Sequence, residues 1–164
     1  MAKDNITYPV GLEKLWEHFD GTLTLDGKLY AVILADTYDP ETDQDADDVD
    51  GGATTANGFT SNLWDGTHSD GTANDTDNAI EVTGFTLTRT TTQLALKFDS
   101  DISFGIVTGG NLTPKYVGIF VAENATSADA ARWPLVCLHA PFTYADGSTY
   151  SYLVDATGVV LWRC

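Results

Sequence analysis

Positively charged residues are scarce in this sequence. Only 8 of its 164 residues are lysine or arginine, against 24 aspartates and glutamates, and the formal net charge is −16. A protein that binds nucleic acid needs a basic surface, because much of its affinity comes from neutralising phosphates. Anionic membranes attract polybasic segments for the same reason. The composition therefore argues against nucleic acid and membrane as direct partners.

Long apolar runs and cysteines are also scarce. No apolar stretch approaches the roughly 18 residues that a membrane-spanning helix needs. Residues 2–5 contain no apolar signal-peptide core, which favours a protein made and kept in a cytoplasm. The two cysteines, Cys137 and Cys164, are expected to be free thiols because the cytosol is reducing.

The sequence also lacks three common catalytic and nucleotide-binding motifs. The sequence has no glycine-rich phosphate loop, no Gly-x-Ser-x-Gly elbow and no His-Glu-x-x-His motif. Cys137 and His139 share one face of a predicted strand, so a Cys–His nucleophile pair is one interpretation. A buried, inert cysteine is the favoured interpretation. With 24 acids, no carboxylate pair points to a glycosidase, and we predict that the protein is not an enzyme.

The acidic residues are concentrated in one segment. Residues 36–79 hold 12 of the 24 acids and no lysine or arginine. This segment is also rich in glycine, threonine and asparagine, which is typical of loops. We expect it to be a long excursion from a β core, anchored by Phe59, Leu63 and Trp64.

Asp43, Asp45 and Asp47 form the candidate metal site of this segment. Alternate residues of an extended chain lie about 7 Å apart, which is within the physiological Debye length of about 8 Å. A calcium ion would relieve their mutual repulsion, and the spacing resembles the opening of a calcium-binding loop. Asp48 and Thr54, however, stand where that loop needs glycine and glutamate. A solvated acidic loop is the favoured interpretation, calcium is the alternative, and no other cofactor is expected.

One amphipathic helix is predicted near the N-terminus. Leu12, Leu15, Trp16 and Phe19 recur at helical spacing and form a single apolar stripe. Gly21 follows the stripe and is expected to end the helix in a left-handed conformation.

The remaining apolar runs predict strands. They fall at residues 29–34, 82–88, 94–98, 102–106, 116–121, 135–140, 149–154 and 159–163. The run 29–34 is continuously apolar and should be a central strand, whereas Ile102, Phe104 and Ile106 alternate as on a half-buried strand. About eight strands and one short helix predict a mostly β protein with an antiparallel β-sandwich or jelly-roll-like fold. Residues 1–164 are expected to form one domain.

Two tryptophans are candidates for exposed aromatic contacts. Trp64 lies in the acidic segment, and Trp133 follows a predicted loop, which should make it the more exposed of the two. Such rings serve as sugar-stacking platforms or as interface anchors.

Several short motifs occur in an order that resembles that of a known family. They are residues 11–15 (GLEKL), 28–34 (KLYAVIL), 37–43 (TYDPETD), 58–59 (GF), 115–121 (KYVGIFV), 134–136 (PLV), 147–154 (GSTYSYLV) and 158–161 (GVVL). This order resembles that of small tailed-bacteriophage virion structural proteins, which are similar to capsid decoration (cement) proteins. The chain departs from the family in its longer excursion over residues 51–79.

The resemblance implies a location and a set of partners. It implies a homotrimer, made in the host cytoplasm, that binds the major capsid protein on the outer surface of the virion and stabilises the expanded shell. Residues 1–10 are then a candidate N-terminal arm. The candidate interface residues are Leu12, Leu15, Trp16, Phe19, Trp64 and Trp133. The alternative is a phage tail or host-recognition module that binds surface glycans through Trp64 or Trp133.

Overall fold

Antiparallel β-structure dominates the computed structural model. The structure describes residues 5–21, 23–24, 27–42, 44–50, 58–69, 71–90, 92–110, 113–124, 126–140, 143–153 and 159–163. Its one helix of more than a single turn in these ranges is α1 (Pro9–Asp20). The strands are β1 (Ile6–Thr7), β2 (Leu29–Leu34), β3 (Gly66–His68), β4 (Thr72–Ala73), β5 (Ile80–Val82), β6 (Phe85–Arg89), β7 (Gln93–Phe98), β8 (Ile102–Gly109), β9 (Tyr116–Ala122), β10 (Arg132–His139), β11 (Ser148–Tyr152) and β12 (Val159–Arg163). The mostly β, sandwich-like class predicted from the sequence is confirmed.

Within the described ranges, the strands form three antiparallel sheets. The largest has the order β1-β10-β9-β2-β5, the second β11-β8-β3-β4 and the third β12-β7-β6. Short single-turn 3₁₀ helices at Thr60–Asn62 and Asp129–Ala131 connect parts of these sheets.

Strand β2 is the central strand that its continuous apolar run predicts. All six of its side chains are buried, and it lies between β9 and β5. Alternate residues enter two separate apolar clusters, so that Ile33 packs in one cluster and Val32 in the other. A strand that is covered on both faces has no polar side, which explains the run.

Two predicted strands differ from the structure, each at a glycine with positive φ. The predicted run 82–88 is divided at Gly84 (φ 69°), so β5 and β6 belong to different sheets. In β8, Gly105 (φ 67°) coincides with a shift of register against β11. The shift reverses the side-chain alternation, so Val107 is buried and Ile106 is exposed. The prediction that Ile106 shares the buried face was therefore wrong.

The acidic segment is built into the core at several points. Phe59 and Trp64 are buried, and Leu63 is half-buried and bridges to Leu34 of β2. These are the three predicted anchors, and their anchoring role is confirmed. Within the described part of the segment, β3 and β4 form a short hairpin that the sequence did not reveal.

Asn74 completes the hydrogen bonding of β2 beyond the reach of β5. The register of β5 on β2 ends at Ala31. At Ile33, the side-chain oxygen of Asn74 accepts the backbone N–H at 3.0 Å, and its amide nitrogen donates to the Ile33 carbonyl at 2.8 Å. The same nitrogen donates to the Trp64 carbonyl at 2.9 Å. Asn74 is buried, so its side chain acts as a one-residue extension of the sheet.

Arg132 fastens the end of the acidic segment to β10. Its guanidinium group is buried and lies 2.8 Å from a carboxylate oxygen of Asp77 and 3.0 Å from one of Asp129. Thr76 donates a hydrogen bond of 2.8 Å to the same Asp129 oxygen. A buried charge needs such partners, because desolvation without them is costly.

Candidate functional site

Helix α1 approaches β10 closely at a glycine. Gly11 is buried there, and a Cβ atom at this position would overlap the backbone of Pro134 and Leu135. Leu15, one turn later, is also buried. The helix ends at Gly21 in the left-handed conformation (φ 85°), which confirms the predicted stop.

The predicted apolar stripe of α1 is divided by this docking. Leu15 belongs to the core and Leu12 is half-buried, whereas Trp16 and Phe19 are 49% and 46% exposed. Because the contact with β10 is centred on Gly11 and Leu15, the other edge of the stripe is turned outward. Leu15 is therefore a core residue and offers no surface to a partner. We call Trp16 and Phe19 the aromatic helix face.

The two candidate tryptophans outside α1 are both buried. Trp64 is 1% exposed, and its ring packs so closely on Gly66 and Gly110 that a Cβ atom at either glycine would overlap it. Trp133 is 8% exposed, and the Lys14 ammonium of α1 lies 5.4 Å from the centre of its ring. Trp133 is the more exposed of the two, as expected, but both are buried, and neither ring forms a platform on the surface of this chain.

A groove runs between α1 and the hairpin of β6 and β7. Its volume is 540 Å³, and we call it the α1 groove. Its lining residues are Pro9, Leu12, Glu13, Trp16, Arg89, Thr90, Gln93 and Leu94. The guanidinium carbon of Arg89 lies 4.0 Å from the centre of the Trp16 ring, which is a cation–π contact. Sequence analysis missed Arg89, because it lies far from Trp16 along the chain.

The charge around the α1 groove contrasts with the rest of the molecule. Residues 82–98 include β6 and β7 and contain no aspartate or glutamate, although the chain has 24 of them. The same stretch carries two exposed cations, Arg89 and Lys97. Described acids such as Asp45 and Asp47 are exposed within the acidic segment instead. The β6–β7 hairpin is therefore a locally cationic region of an acidic protein.

The candidate calcium residues are only partly described. Asp43 lies outside the described residues, and Asp45 and Asp47 are exposed. Asp48 accepts a hydrogen bond from the backbone N–H of Asp50 at 2.9 Å, as in a turn. Within the described ranges, no three acidic, histidine or cysteine side chains lie close enough together to hold a metal ion. The calcium site stays a prediction.

The described part of the candidate N-terminal arm belongs to the fold. Residues 6–7 form β1, and residues 1–4 lie outside the described ranges. Tyr8 is fully buried, and its hydroxyl lies 2.6 Å from the Tyr38 hydroxyl and 3.5 Å from the Cys137 sulfur. Burial raises the pKa of Tyr8 well above its ordinary value. Cys137 is likewise buried, which matches the favoured interpretation of an inert core thiol.

His68 is a buried side chain with unsatisfied polar atoms. It is 1% exposed, and its ring meets that of Phe104 edge-on at 6.1 Å. Neither ring nitrogen makes a well-formed hydrogen bond to the described residues, although the backbone of Asn78 lies near the ring. Burial lowers the pKa of His68 below its ordinary value of 6.5, and the negative charge of Asp75 opposes this shift. The folded protein therefore favours the neutral imidazole.

Acidification through the range below pH 6.5 is expected to destabilise the protein through His68. The unfolded chain binds a proton at its ordinary pKa, whereas the folded chain does so only at a lower pH, so protons favour unfolding. The loss is at most about 1.4 kcal/mol per pH unit. Denaturant unfolding at about pH 7.5 and about pH 5.5 measures it. His68→Phe keeps a ring against Phe104, and its dependence on pH should be weaker than that of the wild type; equal slopes would contradict the prediction.

Comparison with known proteins found no relative of this chain. No family model, curated protein or solved structure matches it. Among the described residues, no helix is both long and apolar enough to cross a membrane. The features that bear on function are therefore the antiparallel β scaffold, the aromatic helix face and the α1 groove.

Proposed function

We propose that this chain is a non-enzymatic virion protein that decorates and stabilises the expanded capsid of a tailed phage. The order of its sequence motifs, which resembles that of such proteins, is the starting point. The observation that carries the proposal is the aromatic helix face, since Trp16 and Phe19 are each about half exposed on a helix held firmly against β10. Large aromatic side chains on a rigid element are typical anchors of protein interfaces.

The major capsid protein is the proposed partner, and the aromatic helix face is the proposed contact. A homotrimer presents three such faces at a local threefold axis of the shell, and the three weak contacts act together. Binding to the expanded state alone stabilises that state by linkage. The net charge of −16 keeps decorated particles apart in solution.

Co-sedimentation with purified capsids tests the proposal. We expect the wild-type protein to bind expanded shells in a fixed ratio to the capsid subunit and to bind unexpanded shells far more weakly. Trp16→Ala combined with Phe19→Ala should lower the affinity by at least about tenfold, because exposed aromatic anchors carry much of the energy of an interface. Ile106→Ala is the matched control, because Ile106 is 42% exposed on a different element. The proposed contact is contradicted if only Ile106→Ala loses binding, or if the Trp16→Ala and Phe19→Ala double variant binds as tightly as the wild type.

The copy number in purified virions separates decoration from the glycan alternative. Quantitative mass spectrometry that gives a simple fixed ratio to the capsid subunit supports decoration. A handful of copies per particle supports a tail or host-recognition module instead. Trp64 and Trp133 are buried, and Trp16 is the exposed tryptophan among the described side chains, so its fluorescence should change when host glycans are added. Absence from the particle overturns both candidates.

A further inference from the structure

We propose that the α1 groove binds a small amphipathic carboxylate, with its apolar body in the groove and its carboxylate on Arg89. This inference goes beyond the decoration function and does not rest on it. Nothing in the sequence motifs assigns a ligand to this place. It arises from the juxtaposition of an apolar groove and a cation at its wall.

The groove has the size and the lining of a small-molecule site. Its 540 Å³ lies within the range of about 300–1,000 Å³ that is typical of ligand pockets. Trp16 and Leu12 of the helix form apolar surface on one side, and Leu94 of β7 contributes on the other. Thr90, just after β6, and Gln93, the first residue of β7, add neutral polar groups. An apolar body with few polar atoms suits this lining.

Arg89 supplies the group that selects an anion. The guanidinium carbon lies 4.0 Å from the centre of the Trp16 ring, and a guanidinium in a cation–π contact can still donate its N–H groups to an anion. The structure records no ion pair between Arg89 and any carboxylate of the described residues. A planar guanidinium with free edges matches a carboxylate in a two-point, charge-assisted interaction.

The surrounding charges favour the same ligand class. The acid-free stretch of residues 82–98 places no negative charge on β6 or β7, and Lys97 adds a second cation to this hairpin. Glu13 is the one carboxylate among the described lining residues, and it is exposed. Its negative charge should weaken the binding of an anion. Removing this charge should therefore increase the affinity, whereas removing the charge of Arg89 should reduce it.

Isothermal titration calorimetry with three matched probes tests the ligand class. The probes are 4-phenylbutyrate, 4-phenylbutan-1-ol and 4-phenylbutylamine, which share one apolar body and differ in the polar end. We expect saturable one-to-one binding of the carboxylate, about tenfold tighter than the alcohol, and the weakest binding for the amine. Chemical shifts of the Trp16 indole N–H should move with the carboxylate. If the alcohol binds as tightly as the carboxylate, or if no probe saturates at millimolar concentration, the proposal is wrong.

Three variants locate the site. Arg89→Gln should reduce the affinity for 4-phenylbutyrate to that for the alcohol, and Glu13→Gln should increase it. Lys97→Gln is the matched control, because it removes the other cation of the hairpin from outside the groove lining, and it should change the affinity by less than about twofold. Equal losses in Arg89→Gln and Lys97→Gln would indicate a general charge effect and would overturn the assignment. All of these measurements use the free protein, so they are independent of capsid binding.

Discussion

Trp64→Ala is expected to destabilise the protein by about 3–5 kcal/mol, the range for removing a large aromatic side chain from a core. The ring is 1% exposed and meets Tyr144 edge-on, with centroids 5.5 Å apart. Gly66 and Gly110 have no side chain where the ring passes, so the backbone around it is shaped to this one residue. Alanine leaves a cavity that these glycines cannot fill. Equilibrium denaturant unfolding measures the loss.

Trp16→Ala is the matched control for that measurement. It removes the same side chain from a position that is 49% exposed, where the ring contacts Arg89. We expect a loss below about 1 kcal/mol, since an exposed cation–π contact contributes about 0.5–1 kcal/mol. Similar losses for the two variants would contradict the division between a core tryptophan and a surface tryptophan. That division is also what assigns Trp16, and not Trp64, to the proposed contact with a partner.

Asn74→Ala is expected to cost about 2–4 kcal/mol of stability. The change removes three buried hydrogen bonds to the backbone of Ile33 and Trp64. Each buried polar group that is left without a partner costs about 1–3 kcal/mol, and some of this cost is recovered by rearrangement. The effect is large because β5 does not reach Ile33, so its buried N–H loses its acceptor, although the Ile33 carbonyl keeps a hydrogen bond of 3.0 Å from the Trp64 N–H. Thermal or denaturant unfolding measures it.

Asn74→Asp distinguishes hydrogen bonding from shape. Aspartate keeps the volume and the acceptor for the Ile33 N–H, but it cannot donate to the two carbonyls when it is ionised. We expect it to be at least as destabilising as Asn74→Ala at neutral pH. Asn78→Ala is the control, because Asn78 is exposed and its side chain bonds to Asp75. A near-wild-type stability for Asn74→Asp would mean that packing, and not hydrogen bonding, holds this position.

Local patterns predicted the elements that depend on nearby residues. The spacing of Leu12 and Leu15 and the glycine at position 21 were sufficient for α1, because a helix and its cap are formed by contacts within a few residues. The continuous run of β2 likewise predicted a strand that is covered on both faces. Phe59 and Trp64 predicted the anchoring of the acidic segment, because large apolar residues are more often buried than exposed.

The features that the sequence did not reveal depend on contacts between distant segments. The register shift at Gly105 depends on its pairing with β11, so the exposure of Ile106 has no local signal. Trp133 follows a short turn, which favours exposure, but its ring lies beneath Lys14 of the distant helix α1. The contact of Arg89 with Trp16 joins β6 to α1, and only the fold brings them together. The absence of acids in residues 82–98 was the one available signal for that region.

The place of β1 at the outer edge of the largest sheet has a consequence for how the chain acquires its structure. The register pairs Ile6 with Cys137, and α1 packs on β10 immediately beside that pair. A ribosome therefore makes Tyr8, Leu15 and the rest of the first segment long before their partner strand exists. Contacts between segments that are distant along the chain slow folding. Apolar segments that have not yet paired are prone to aggregate. Because the intervening residues 36–79 are strongly acidic, we expect their mutual repulsion to oppose association between nascent chains until β10 emerges and the sheet closes.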